Sequence, residues 1–188
     1  MLSKPSIQTL ARAMRSAPAS SDADGPAPCP SIVSRAALSY GARTSEDVTV
    51  PTGFDPVAVA LFETIVEAAY LVANADGVFD EEERLVFERV VVEACGGTVT
   101  SQQIAALVGD LHHHLRAGGI DRRVQSIAAS VSKREHAEEV LRVAALMAQA
   151  SGGVSDADRD VVAKLAACLG LEVGDALSGA TKALLTDS

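Results

Sequence analysis

The sequence predicts an all-α fold, a compact helical bundle, and three observations carry that prediction. All seven prolines lie at or before Pro56, which leaves 132 residues from Val57 onward free of the residue that breaks helix interiors. Aromatic residues are only 3% of a chain that is 48% apolar, and none follows Phe87. The core must therefore be built mainly from Ala, Val, Leu and Ile, which suits close-packed helices. Helix start and stop signals recur at regular intervals through the same stretch, and no segment except Val48–Val50 alternates like a strand.

Taken in order, residues 1–53 read as an N-terminal tail and linker, mostly disordered, and residues 54–188 as the helical domain. Leu2, Ile7, Leu10 and Met14 are spaced like one helix face beside Lys4, Arg12 and Arg15, with no acid before Asp22. A plain tail helix and a targeting or membrane-surface helix both fit that pattern. Residues 17–30 have the Pro, Ser, Ala and Gly content of a disordered linker. One short helix is expected near Ser31–Tyr40. Asp55 with Pro56 opens a helix that runs to about Asn74. Asp80, with Glu83 three residues on, opens a second that stops at Gly96-Gly97. Thr100 caps a third that ends at Gly118-Gly119, and Asp121 opens a short fourth. Ser132 with Glu135 caps a fifth that reaches about Ala150. Ser155 with Asp158 opens a sixth, closed by Gly170. A last helix spans roughly Val173–Leu185.

The chain carries a formal charge of −9, and residues 51–188 hold twenty-one Asp or Glu against eleven Lys or Arg. Such a domain repels phosphate backbones, which argues against nucleic acid and favours cations or basic protein surfaces as partners. The same charge also serves plain solubility. Cys29, Cys95 and Cys168 stand far apart without paired spacing and read as free thiols in a reducing, cytoplasmic compartment. No uninterrupted apolar run approaches the roughly 18 residues that span a bilayer. Membrane association, if any, falls to the N-terminal helix.

The chain also resembles itself at an offset of 75 residues. Asn74-Ala75-Asp76-Gly77 lies over Gln149-Ala150-Ser151-Gly152, Phe79 over Val154, Asp80 over Ser155, Glu83 over Asp158 and Arg84 over Arg159. Val86, Phe87 and Val90 then meet Val161, Val162 and Leu165. Each copy is an apolar helix, a Gly turn, a capped start and an amphipathic helix. The bundle is thus expected to consist of two related helix–turn–helix repeats packed together.

Ala75-Asp76-Gly77, Glu83-Arg84 and the apolar run behind them resemble the repeated acidic turn of the TerB tellurite-resistance family. Ala150-Ser151-Gly152 through Asp158-Arg159 to Leu171 is similar to its partner, and the resemblance covers about Phe54 to Leu185. It implies a compact all-helical bundle, acidic turns associated with metal ions, and membership of tellurite-resistance and wider stress-response systems. Related domains are also joined to other modules, including co-chaperones.

The chemistry of the first turn suits a hard cation such as Ca²⁺ or Mg²⁺, which takes several oxygens. Asn74, Asp76, Gly77, Phe79 and Glu83 fill the third, fifth, sixth, eighth and twelfth places of a calcium loop, but the first place is Val72. Asp76 and Glu83 are the expected ligands, with Glu67 an extra donor only where the fold brings it near. In the second turn Ser151 replaces the Asp and Asp158 replaces the Glu with a shorter carboxylate, so Asp158 is the weaker ligand. A purely structural reading, Gly for the bend and acids for the caps, stands beside both.

Other features read as structural. His112, His113 and His114 point about 100° apart on a helix, cannot share one ion, and read as solvated surface. Cys95 and Cys168 read as packing residues, Glu81-Glu82-Glu83 as complement to the helix dipole, and Glu63 with Glu67 as a solvated stripe. No nucleophile–base arrangement, phosphate-cradling loop or H-E-x-x-H motif occurs. The expected function is a non-enzymatic stress-response protein that binds a divalent cation and acts through protein partners. The alternatives are a metal-independent interaction scaffold and a metal-dependent hydrolase.

Overall fold

The computed structural model describes residues 6–16, 31–42, 55–77, 79–150 and 154–186. Those residues form eight α-helices: α1 (Ile7–Arg15), α2 (Ile32–Gly41), α3 (Pro56–Ala73), α4 (Glu81–Ala94), α5 (Ser101–Ser130), α6 (Arg134–Ala148), α7 (Asp156–Leu169) and α8 (Val173–Thr186). No strand occurs among the described residues, so the all-α class holds. The linker at 17–30 and the Val48–Val50 strand lie outside them.

Local chemistry places the helix ends. The Asp55 carboxylate accepts from Val57 N–H at 2.9 Å ahead of Pro56, and α3 begins there. Reciprocal capping boxes start α4 (Asp80 with Glu83), α5 (Thr100 with Gln103) and α7 (Ser155 with Asp158). Gly170, left-handed at φ 68°, closes α7. The start of α6 differs from expectation. Its cap is Lys133, without a side-chain bond, and the Glu135 carboxylate lies 3.8 Å from both Lys133 Nζ and His136 Nε2. The Ser132–Glu135 box is replaced by surface charge pairing.

At the centre α3 and α6 pack side by side. Ala68, Ala69, Ala144 and Ala145 are fully buried, and their small side chains let neighbouring helices approach closely. Phe62, Ile65, Tyr70 and Leu71 from α3 and Val140, Leu141 and Leu146 from α6 fill the surrounding space. Burying each of the large ones is worth ~1.5–3 kcal/mol. By length and composition α3 is also apolar enough to cross a membrane. It passes that test although Glu63 and Glu67 interrupt its apolar run, and it serves here as the middle of the core.

In the N-terminal region the two segments expected to be helical form α1 and α2, and both join the bundle. α1 lies on α4 and α6 with Leu10, Ala11, Ala13 and Met14 buried, so the face suited to a membrane surface is covered by protein. α2, found where one short helix was expected, packs on α3 through Val33, Ala36, Ala37 and Tyr40, with the Tyr40 and Phe62 rings 4.6 Å apart. Gly41 ends it against the α4–α5 loop. A Cβ there would stand 1.8 Å from the Thr98 carbonyl oxygen, so only glycine permits the approach.

α5 is bent rather than straight. Gly119 has φ 72° and ψ 169°, a conformation closed to residues with a Cβ, and it divides the helix where Gly118-Gly119 was expected to end one. The second half turns back along α3, which brings Arg123 against Glu67.

Candidate functional site

The first acidic turn is anchored from below. Asn74, buried, donates from Nδ2 to the Tyr70 carbonyl at 3.0 Å, and Gly77 N–H donates to the Asn74 carbonyl at 3.0 Å. The Tyr70 ring meets Phe79 and Phe87 edge-on at 5.2 and 5.8 Å, while its hydroxyl shares a 3.1 Å hydrogen bond with His112 Nδ1. Burial pushes the Tyr70 phenol up from its ordinary value, and the Asn74 side chain partly offsets this. The geometry of the turn thus rests on Tyr70 of α3, Phe79 of the turn itself, Phe87 of α4 and His112 of α5.

The expected ligands occupy different situations. Asp76 is exposed at the tip of the turn. Glu83 works in the cap of α4: Asp80 N–H donates to its Oε2 at 3.2 Å, and Glu83 N–H donates to Asp80 Oδ1 at 2.8 Å. In the second turn Ser151 and Gly152 lie outside the described residues. Asp158 likewise accepts from Ser155 N–H at 2.9 Å. Among the described residues no three His, Cys, Asp or Glu side chains are grouped to hold a metal. The donor chemistry of the turn is that of a hard cation, all oxygen. What it offers is Asp76, the remaining oxygen of Glu83 and main-chain carbonyls, fewer than the six to eight such ions take. The fit is partial, and further oxygens must come from water or a partner.

A second constellation escaped the sequence reading. Glu67 is not on a solvated stripe: it is 8% exposed and forms a two-pronged pair with Arg123, Nε to Oε1 at 2.5 Å and Nη2 to Oε2 at 3.0 Å. Hydrogen bonding to Glu67 raises the Arg123 pKa further above its ordinary value. The pair borders a hollow of about 320 Å³ between α3 and the two halves of α5, also lined by Glu63, Asp110 and His114. Thr64 and Ser130 close one side with hydroxyls 3.2 Å apart. Glu67 does not serve the acidic turn. Its charge deep within an apolar helix was the available signal, and the Gly118-Gly119 bend was the second. The three histidines are exposed as expected, but they part company: His112 bonds Tyr70 and His114 faces the hollow.

The outward side of α4 carries a third feature. Glu82, Leu85, Val86, Arg89 and Glu93 are all exposed and recur at helical spacing. Leu85 is 54% and Val86 40% exposed, an apolar pair set among charges just beyond the acidic turn. The thiols diverge as well. Cys95 is buried, which pushes it up to about 12, whereas Cys168 is exposed and so is not the packing residue expected. Cys29 lies outside the described residues. Compared with family models, with curated proteins and with solved structures, the chain finds no match, and its resemblance to the TerB family rests on the residues quoted for it.

Proposed function

We propose that this chain is a non-enzymatic, TerB-like stress-response module that works by docking a basic protein partner on the acidic turn and the outer face of α4. The observation that carries the reading is the exposed pair Leu85 and Val86 set between Glu82, Arg89 and Glu93, with Asp76 on the adjoining turn. Apolar side chains supply the affinity of such a surface, and the acids around them select a basic partner and repel acidic ones. A divalent cation, Ca²⁺ or Mg²⁺, held by Asp76 and Glu83, is the adjunct. The partner supplies oxygens that the turn alone lacks.

We further read α3–turn–α4 and α6–turn–α7 as two related hairpins. Their support is the pair of capping boxes 75 residues apart and the packing of α3 on α6. On this reading the second hairpin has kept the cap at Asp158 and given up the ion-binding turn.

The test is affinity capture from stressed-cell extract, with quantification of whatever is retained by wild type but not by Leu85→Ser/Val86→Ser. Asp76→Ala and a chelator form the second arm. Loss in the double variant alone supports a metal-independent scaffold. Loss in Asp76→Ala and with chelator as well supports a cation-coupled module. Equal capture by all variants refutes docking at this face. Phosphoester turnover dependent on Asp76 would instead establish the hydrolase.

A further inference from the structure

α1 is fixed to the body at its C-terminal end by a buried arginine of another helix. Its buried face is a run of two large and two small residues, Leu10, Ala11, Ala13 and Met14, against α4 and α6 with α8 alongside. Its other face, Gln8, Arg12 and Arg15, is exposed. The last carbonyls of a helix have no partner within it. Here Arg142 of α6 takes two of them, donating from Nη1 to the Ala13 oxygen and from Nη2 to the Met14 oxygen, both at 2.8 Å. Glu139, 3% exposed, aims that guanidinium through 2.7 and 2.9 Å bonds. The Arg15 guanidinium lies beside Gly96, just past the C-terminal end of α4, where the helix dipole favours positive charge. An oriented, largely buried arginine beside an apolar bed is a receptor for the end of a helix.

We infer that the groove between α4, α6 and α8 is a binding site for short, basic amphipathic helices, and that α1 is its resident ligand in cis. A competing partner helix presents the same chemistry: large-small-x-small-large on one face, arginines on the other, and a last turn with open carbonyls. Two physical facts make exchange feasible. A nine-residue helix has little stability of its own, so α1 holds its shape through the groove. A short tether also keeps it at an effective concentration on the order of millimolar, so a free competitor succeeds only when it binds more tightly or the tether is cut. Met14 of α1 borders one small cavity with Val91, Ala94 and Cys95, none of them on the exposed face of Leu85 and Val86, so this site stands or falls independently of the docking face proposed above.

The experiment inserts a protease site within residues 17–30 of the full chain and measures uptake of a fluorescent peptide of sequence Ser6–Ser16 by anisotropy. The uncut chain should take up no peptide at micromolar concentration. The cut chain should bind it saturably, with unchanged helical circular dichroism, and cut Arg142→Ala should bind at least tenfold more weakly. Should Arg142→Ala fail to fold, the peptide carrying Leu10→Asp makes the same comparison on cut wild type. The inference is overturned if the cut chain unfolds as α1 leaves, if the peptide never replaces α1, or if both altered forms bind as well as wild type. Sedimentation of the uncut chain as a dimer joined through exchanged α1 would assign the groove to a second copy and also overturn it.

Discussion

Arg123→Met tests the most consequential tertiary contact, because it leaves Glu67 as a carboxylate inside the bundle with its partner gone. At roughly 3 Å and an effective dielectric of about 20, the gross attraction of the pair is about 5 kcal/mol. Desolvation of both groups cancels much of it, so the intact pair contributes little net stability. Removing one partner is different, since the desolvation of the other is left uncompensated, and fully buried pairs then lose ~3–5 kcal/mol. Here the Glu67 side chain is 11% exposed, Arg123 is 22% exposed, and the polar hollow admits water. The expected loss is therefore at the low end, about 3 kcal/mol. With a urea slope of ~2 kcal/mol/M, the midpoint should fall by about 1.5 M, read by circular dichroism at neutral pH. Glu67→Leu/Arg123→Met, which removes both charges, should recover most of that loss and cost no more than ~1 kcal/mol. A loss below ~0.5 kcal/mol in Arg123→Met, the range of exposed pairs, would refute the buried-pair reasoning. So would a double variant no more stable than the single one.

Four further outcomes follow from the structure. Gly119→Ala meets no neighbour but forces a Cβ into a backbone region reserved for glycine, so unfolding titration should show a loss of about 2–3 kcal/mol. Gly41→Ala drives a Cβ into the Thr98 carbonyl and should cost at least ~2 kcal/mol, with increased amide exchange in α2 as the local readout. Cys168 should react with a thiol reagent in the native protein at pH 8, whereas Cys95 should react only on unfolding. The buried Cys95 keeps its proton to about 12, while an unfolded thiol releases it near ~8.5. Stability from this group is thus complete below about pH 8.5 and falls as pH rises toward 12, by about 3 kcal/mol at about pH 10.5. Tyr70, also raised by burial, adds to the fall at higher pH. Cys95→Ala should show the shallower alkaline decline in pH-dependent unfolding, and an unchanged slope would argue against a buried thiol.

The site was partly legible in the same way. The acidic turn could be located from Asp76, Gly77 and the Asp80–Glu83 signature, because each depends on neighbours a few residues away. That Glu83 would be held by the cap and Asp76 left at the tip is a matter of side-chain geometry, which residue types alone do not settle. The α6 start shows the limit of local signals. Ser132 and Glu135 satisfy the spacing of a capping box, yet Lys133 becomes the cap and Glu135 turns to Lys133 and His136.

By itself the sequence determined the helical class and most helix ends. A cap closes a hydrogen bond between residues three or four apart, and the proline-free, alanine-rich stretch leaves no other regular structure to form. Only the tertiary structure decided which charges would be buried and which helices would belong to the core. Glu67 meets Arg123 across 56 residues, and Arg142 meets Ala13 across 129. Neither meeting exists until the chain has bent at Gly119 and packed α1 on α4 and α6. A glutamate in an apolar helix and a short basic helix before a Pro-rich stretch look alike in sequence whether they end in solvent or in the core. The free energy that separates those outcomes lies in partners supplied by distant segments.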